Sequence, residues 1–181
     1  MNENKTLSRT IYLNLEINKE SAGKIIKEIC DINEEDDKKE SELKEYTRTP
    51  IKLIMNSYGG VCYDGLAICA AIDSSKTPVH TYVYGYAMSM GLLISSFGKK
   101  RCAHELATFM YHSVSSWAEG KVETMREDVN EALRLRDLYT KHLLQRTKIP
   151  KERIEEVQNY KQDWFITAEE ALELGIIDEI I

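Results

Sequence analysis

Apolar and polar residues follow two different periods near the start of the chain. Over residues 10–17 every second side chain is apolar, which is the period of a half-buried strand. Asn18 comes next as a predicted N-cap, and apolar residues then recur at the i, i+3, i+4, i+7 spacing of one helical face. The pattern therefore predicts a strand followed directly by an amphipathic helix.

From residue 51 onward, short apolar runs alternate with helical patterns. Strands are predicted over 51–55, 79–84 and 106–111, and helices near 64–73 and 89–97. A chain that alternates in this way forms βαβ units around a largely parallel sheet. The fold class predicted is therefore α/β.

The longest helical pattern runs from about 121 to 147 and is apolar mainly along one side. At roughly 3.6 residues per turn, this helix is longer than the core of one domain usually covers, so part of it is expected to pack on another subunit. Further on, Thr167 and Glu170 form a predicted capping box, and Gly175 is a predicted helix stop.

Residues 34–45 are nearly all charged, and Leu43 is their only apolar residue. Such a segment is expected not to bury itself, and it is predicted to be a charged crossover insertion. Two interpretations of this segment stay open. It is either a solvated helix extension or loose crossover, or it is a docking element for a partner. The whole chain, 1–181, is predicted to be a single domain, because 181 residues suit one compact core.

Composition and charge exclude several functional classes. With 43% hydrophobic and 30% charged residues the chain has a globular balance, and its net charge of −6 argues against a nucleic-acid partner. No apolar run approaches the length of a membrane span, so no membrane association is expected. The four cysteines form no CxxC pair, and no signal segment is visible, so the prediction is a reduced, cytoplasmic protein with buried thiols and no metal or cofactor.

Two segments combine backbone freedom with reactive groups. Gly59 and Gly60 follow a predicted strand, where they can bring a backbone N–H close to a ligand or simply make a tight turn. Ser89 lies among small residues at a predicted strand-to-helix junction. A serine there can be an exposed nucleophile beside a helix N-terminus, or it can be an ordinary N-cap. The residue two before it is Ala87, so the segment lacks the G-x-S-x-G motif.

A third candidate is His112, which lies at the end of the predicted strand 106–111. A lone histidine at a strand end is more often structural than catalytic, and His80, His104 and His142 are interpreted in that way. His112 differs from them only in the segments that accompany it.

Together these segments resemble a known family. Four of them occur in the same order and at similar spacings as in the proteolytic subunit of the Clp protease: Gly59-Gly60, Ala87-Met88-Ser89-Met90-Gly91, Met110-Tyr111-His112, and Asp163 through Ala171 with Gly175 through Asp178. The resemblance covers residues 9 to 181. It implies a crotonase-like α/β domain, a βαβ spiral with a long handle helix.

The resemblance also implies an activity and an assembly. Ser89 would be the nucleophile, His112 the base and Asp163 the residue that orients the base. The backbone N–H groups of Gly60 and Met90 would form the oxyanion hole. The family is a serine endopeptidase that cleaves unfolded proteins or peptides inside a chamber of two stacked heptameric rings, a homo-oligomeric tetradecamer that can work with an AAA+ unfoldase ATPase.

The chain departs from the family pattern at several positions near these motifs. Tyr58 replaces the proline that usually precedes the two glycines, and Ser113 and Val114 replace Gln-Pro after His112. Lys161 and Gln162 replace the acidic residue and arginine that usually pair between rings. These departures bear on the substrate cleft and on ring-to-ring coupling rather than on the triad.

Three alternatives differ in substrate or in chemistry. A processing protease for assembly precursors, as in phage-type relatives, would use the same triad. A crotonase-superfamily acyl-CoA enzyme would need the oxyanion hole but not a Ser-His-Asp set. A non-catalytic ring subunit would be marked by loss of a triad residue, and none is lost here.

Overall fold

The computed structural model describes residues 7–114 and 119–181, which form a seven-stranded sheet and its flanking helices. The strands are β1 (Thr10–Leu13), β2 (Ile51–Ser57), β3 (Val79–Met88), β4 (Lys100–Ala103), β5 (Thr108–Tyr111), β6 (Trp164–Ile166) and β7 (Glu179–Ile180). The helices are α1 (Lys19–Glu42), α2 (Cys62–Ser74), α3 (Met90–Ser95), α4 (Val122–Arg146), α5 (Lys151–Tyr160) and α6 (Ala168–Glu173). The single domain predicted over 1–181 includes residues 1–6 and 115–118, which lie outside the described residues.

The sheet is parallel from β1 through β2, β3 and β4 to β7, which confirms the predicted α/β class. The long strand β3 divides the sheet, because its first half pairs with β4 and its last residues pair with β5. Among the strands of the described residues, β6 alone runs antiparallel to its neighbour, β5. In parallel sheets, ligands bind beyond the carboxyl ends of the strands where the strand order divides. The division at β3 therefore marks where a site is expected.

The first strand is shorter than predicted. Strand β1 ends at Leu13, whereas alternation continues to residue 17. Ile17 instead forms an isolated parallel bridge with Gly60, so its buried side chain reflects a second contact with the sheet rather than a continued strand. The predicted caps are confirmed at both ends of the chain. Asn18 caps α1, and Thr167 with Glu170 forms the capping box of α6.

Helix α4 confirms the long helix predicted at 121–147, and its two halves lie in different environments. Its second half packs into the core through Leu135, Tyr139 and Leu143, which are all buried. In its first half Val122 and Val129 are 70% and 52% exposed. One apolar end of the helix therefore lies in solvent in the single chain.

The charged segment 34–45 does not behave entirely as predicted. Its first nine residues continue α1 to Glu42, which fits a helix extension. The expectation that it cannot bury itself is wrong at Asp36, whose side chain is fully buried. Arg9 donates to both carboxylate oxygens of Asp36, at 2.7 and 2.5 Å, and the hydroxyls of Tyr46 and Thr77 donate at 2.5 and 2.6 Å. A buried charge is tolerated when it is paired and hydrogen-bonded in this way.

All four cysteines are free thiols. Cys69 and Cys102 are buried as predicted, whereas Cys30 is exposed because it lies on the outer face of α1. Within residues 7–114 and 119–181, no helix has the length and apolar character that crossing a membrane requires.

Candidate active site

Two parallel strands bring Ser89 and His112 together. Strands β3 and β5 end in register, with Met88 opposite Met110, so the residues that follow them leave the sheet at the same edge. The Ser89 N–H donates to the Met110 carbonyl at 2.9 Å and holds the two ends side by side. Ser89 Oγ then lies 2.8 Å from His112 Nε2. The pairing of a hydroxyl with an imidazole nitrogen at this distance is the arrangement that nucleophilic catalysis needs.

The backbone of Ser89 has an unusual conformation. Its φ is 52° and its ψ is −123°, outside the region that L-residues normally occupy. Such a conformation costs of order 1–3 kcal/mol and is found mainly at functional sites. Although Ser89 occupies the N-cap position of α3, its side chain makes no capping hydrogen bond. The ordinary N-cap interpretation is therefore wrong, and the hydroxyl faces His112 instead.

Gly59 lies against this turn, and Gly60 lies against the backbone of Ile17. Both have positive φ, +105° and +148°. A Cβ on Gly59 would lie 2.8 Å from Ser89 Cβ and 3.1 Å from Met90 N, and one on Gly60 would lie 2.1 Å from the Ile17 carbonyl oxygen. Both positions therefore require glycine, because backbone from two other segments occupies the space of a side chain.

The Met90 N–H, next to Ser89, and the Gly60 N–H, next to Gly59 in the adjoining loop, are candidate donors to a ligand. Met90 is the first residue of α3, where N–H groups have no partner inside the helix. Gly60 is exposed. Among the backbone hydrogen bonds of turns, loops and helix caps in the described residues, none has the Met90 or Gly60 N–H as its donor. Free N–H groups close to a nucleophile can stabilise negative charge that develops on a substrate oxygen.

Asp163 lies close to His112 in the pairing of β5 with β6. The antiparallel ladder between β5 and β6 ends with Tyr111 opposite Trp164. His112 and Asp163 are the next residues on each strand, so one further step of the ladder would place them opposite each other. In the described part of the chain no hydrogen bond joins them, and Asp163 is exposed. The structure therefore brings Ser89 and His112 together and leaves Asp163 one step away.

A cleft of about 540 Å³ opens beside the two glycines. Its lining includes Leu15, Glu16, Tyr58, Gly60 and Tyr86. The Tyr58 and Tyr86 rings lie 4.2 Å apart between centroids, and Tyr58 is 68% exposed. The tyrosine that replaces the family's proline therefore forms part of an aromatic wall next to the site.

One residue that contacts the site was not predicted from the sequence. Tyr139 on α4 donates its hydroxyl hydrogen to the Ser89 carbonyl oxygen at 2.9 Å. The sequence carried a weak signal, since Tyr139 is the only residue with a polar tip among the apolar residues of the inner face of α4. Buried tyrosines normally find a partner for their hydroxyl, but the pattern does not say which partner.

Comparison with known proteins agrees with this geometry. A model of the Clp protease family matches residues 3–181. Over 175 residues the chain is 33% identical to the ATP-dependent Clp protease proteolytic subunit 2 of Parasynechococcus marenigrum, covering 96% of this chain and 83% of that protein. It is 30% identical over 179 residues to the ATP-dependent Clp protease proteolytic subunit of Deinococcus radiodurans, covering 96% of this chain and 80% of that protein.

Proposed function

The chain belongs to the Clp protease family and is a serine endopeptidase, and from that premise we propose that Ser89, His112 and Asp163 are its catalytic triad. The observation that carries the proposal is the 2.8 Å separation of Ser89 Oγ and His112 Nε2 at a backbone turn with a φ of 52°. A strained serine whose hydroxyl faces a histidine rather than its own helix has the geometry of an activated nucleophile.

The proposed reaction has two stages. His112 Nε2 takes the proton from Ser89 Oγ as the oxygen attacks the carbonyl carbon of the scissile peptide bond. The carbonyl π electrons move onto oxygen, and the N–H groups of Gly60 and Met90 stabilise that charge. When the tetrahedral intermediate collapses, the C–N bond breaks and His112 gives its proton to the leaving amine. Water, deprotonated by His112, then hydrolyses the Ser89 ester by the same route.

Asp163 is proposed to orient His112. For Nε2 to accept the Ser89 proton, the imidazole must carry its other proton on Nδ1, and a carboxylate that accepts from Nδ1–H selects that tautomer. Support comes from the β5–β6 ladder, which needs one more residue pair to bring Asp163 opposite His112. The proposal requires the active enzyme to form the hydrogen bond between His112 Nδ1 and Asp163 that the described residues lack.

The proposed substrates are unfolded proteins or peptides, cleaved in the cytoplasm inside a homo-oligomeric double ring. The exposed apolar end of α4, formed by Val122, Val129 and Leu133, supports an interface there, because a contiguous apolar surface on a monomer usually marks a contact. The two relatives compared above are named ATP-dependent, and an AAA+ unfoldase partner is proposed for this chain by that likeness.

Light scattering tests the assembly. Burial of several apolar side chains, at about 1.5–3 kcal/mol each, outweighs one exposed ion pair at about 0–1 kcal/mol. The double ring should therefore persist at high salt, although Lys161 and Gln162 cannot form the charge pair that is usual between the rings. Val129→Glu should dissociate the rings, whereas Leu43→Glu, an exposed leucine at the end of α1, should not. A monomer or single ring of the wild-type chain at micromolar concentration in low salt would contradict this interface.

Hydrolysis of a fluorogenic peptide tests the proposed function. Ser89→Ala should lower kcat by at least about 10⁴-fold while folding and assembly stay intact, because the hydroxyl is needed only for the covalent step. The matched control is Ser74→Ala, since Ser74 is exposed and bonds only within its own helix α2. Turnover of Ser89→Ala near the wild-type rate would remove Ser89 from the mechanism.

A further inference from the structure

A buried hydroxyl on α4 contacts the backbone of the Ser89 turn. The Tyr139 hydroxyl donates to the Ser89 carbonyl at 2.9 Å, since a carbonyl oxygen can only accept. Tyr139 is 6% exposed, and burial raises the pKa of its phenol well above the ordinary value, so the hydroxyl keeps its proton. The same carbonyl also accepts from the N–H groups of Leu92 and Leu93 in the first turn of α3, at 3.0 and 3.4 Å.

The carbonyl that Tyr139 binds belongs to the peptide that carries a proposed oxyanion donor. The Ser89–Met90 peptide is trans, so its C=O and its N–H point in opposite directions. A hydrogen bond that holds the carbonyl in place therefore also fixes the direction of the Met90 N–H. Donation to the carbonyl polarises the amide and strengthens its N–H as a donor, because hydrogen bonds in a chain reinforce one another.

We propose that Tyr139 is a positioning residue for catalysis, which holds and polarises the Ser89–Met90 peptide so that the Met90 N–H faces the developing oxyanion. This role rests on the proposed function, because it needs Met90 as an oxyanion donor. It also links α4, whose outer end is the proposed ring contact, to the catalytic turn through one hydrogen bond. The competing interpretation is that the Ser89 carbonyl only provides a hydrogen-bond acceptor for the buried Tyr139 hydroxyl. In that case the bond would contribute to the stability of the fold and not to catalysis.

Tyr111 provides a matched control. Its ring packs against that of Tyr139 with centroids 5.7 Å apart, and its side chain is also buried. Its hydroxyl accepts from Gln158 Nε2 at 2.8 Å and makes no hydrogen bond to the Ser89 turn. Tyr111→Phe therefore removes a buried phenol hydroxyl from the same ring pair without changing the bond to the nucleophile turn.

The test compares Tyr139→Phe with Tyr111→Phe. Removing a direct oxyanion donor costs about 10²–10³-fold in kcat, and Tyr139 acts one bond away, so Tyr139→Phe should lower kcat by about tenfold with KM unchanged. The affinity of a peptide aldehyde, whose hemiacetal oxygen occupies the oxyanion hole, should fall by the same factor. Tyr111→Phe should keep kcat and aldehyde affinity within about twofold, although both variants lose some thermal stability.

Three results would overturn the role of Tyr139. They are a kcat for Tyr139→Phe within twofold of wild type, a lower kcat with unchanged aldehyde affinity, and an equal loss of kcat in Tyr111→Phe. Should Tyr139→Phe fail to fold, 3-fluorotyrosine at position 139 keeps the hydroxyl as a stronger donor and should maintain or raise kcat, and a fall would count against the proposal. If Tyr139→Phe is fully active while Ser89→Ala is inactive, only the role of Tyr139 is lost and the proposed function stands.

Discussion

The two halves of the proposed triad are built in different ways. Ser89 and His112 follow parallel strands that pair in register, and hydrogen bonds with β5, α3 and α4 hold the backbone of the Ser89 turn. Asp163 follows the left-handed C-cap of α5 at Lys161 and is exposed, one residue before the short strand β6. The nucleophile and base are therefore preorganised by the core, whereas the position of the orienting carboxylate depends on a surface segment.

This difference separates two groups that the core holds in place from one group that a surface segment has to position. The Ser89–His112 pair forms within the single chain, where Ala87 and Met90 beside Ser89, and Phe109 and Tyr111 before His112, are buried. Asp163 needs one more step of pairing between β5 and β6. Substitutions at Ser89 or its oxyanion donors are therefore expected to weaken transition-state stabilisation, whereas substitutions at the exposed Asp163 are expected to change how His112 is oriented.

Substitution of Asp163, the exposed member of the proposed triad, is expected to have the largest effect on kcat. Asp163→Asn should lower kcat by about 10³–10⁴-fold, since an amide favours the wrong imidazole tautomer. The control is Glu169→Gln, an exposed carboxylate in the first turn of α6, which should keep the wild-type kcat within about twofold. Kinetics on a fluorogenic peptide measure both. A loss of less than tenfold in Asp163→Asn would mean that another group orients His112.

Substitution of Gly60 tests the proposed oxyanion hole beside the preorganised Ser89–His112 pair. The new Cβ in Gly60→Ala would meet the Ile17 carbonyl oxygen at 2.1 Å, so the backbone must shift and carry the Gly60 N–H away from the site. The kcat is expected to fall by about 10²–10³-fold, the cost of one oxyanion donor. The control is Gly23→Ala within α1, where a Cβ meets nothing within 4 Å. That variant should keep full activity and gain about 0.5–1 kcal/mol in stability, and equal activity in the two variants would contradict the assigned donor.

Much of the site, but not all of the fold, follows from the sequence. Ser89 and His112 were predicted because each ends an apolar strand and lies in a segment similar to the family. The pattern does not predict strands β4, β6 and β7 or helix α5, since β4 begins with two charged residues, β6 and β7 have three and two residues, and the exposed face of α5 is strongly polar. Short or polar elements of this kind are stabilised by tertiary contacts rather than by their own pattern.

Contacts distant in sequence explain the remaining differences. Asp36 looked like one charge in a solvated run, but its partners Arg9 and Thr77 lie 27 and 41 residues away. Tyr139 contacts Ser89 across 50 residues. Neither pairing has a local signature, so only the folded structure reveals which polar group on a helix is buried against a partner.

Asp36 and its neighbour Asp37 repeat the contrast between a buried and an exposed carboxylate, away from the site. Removing one partner of a buried ion pair costs about 3–5 kcal/mol, so Asp36→Asn should lower the free energy of unfolding by that amount. Asp37 is 45% exposed and pairs with Arg48 and Lys76, so Asp37→Asn should leave the free energy of unfolding nearly unchanged. Urea titration at pH 7 measures both, and equal losses would contradict the buried network.

The same pair predicts a pH dependence. Burial alone would raise the pKa of the Asp36 carboxyl, but hydrogen bonds from Arg9, Thr77 and Tyr46 hold this pKa well below its ordinary value. A lowered pKa in the folded state gives stability that is complete above the unfolded pKa, about 3.9, and is lost as the pH falls below it. The difference in unfolding free energy between wild type and Asp36→Asn should therefore be constant from pH 7 to pH 5 and shrink below pH 4.

The central claim is that Ser89 is the nucleophile and is activated by His112, and covalent labelling tests it most directly. The wild-type protein is treated with a fluorophosphonate probe, and the adduct is located by mass spectrometry of its peptides. We predict one adduct per chain on Ser89, no adduct in Ser89→Ala, and labelling slowed by at least about 10²-fold in His112→Ala, which keeps the serine but lacks its base. An adduct on any other serine, or peptide hydrolysis by a chain that the probe does not label, would contradict this assignment.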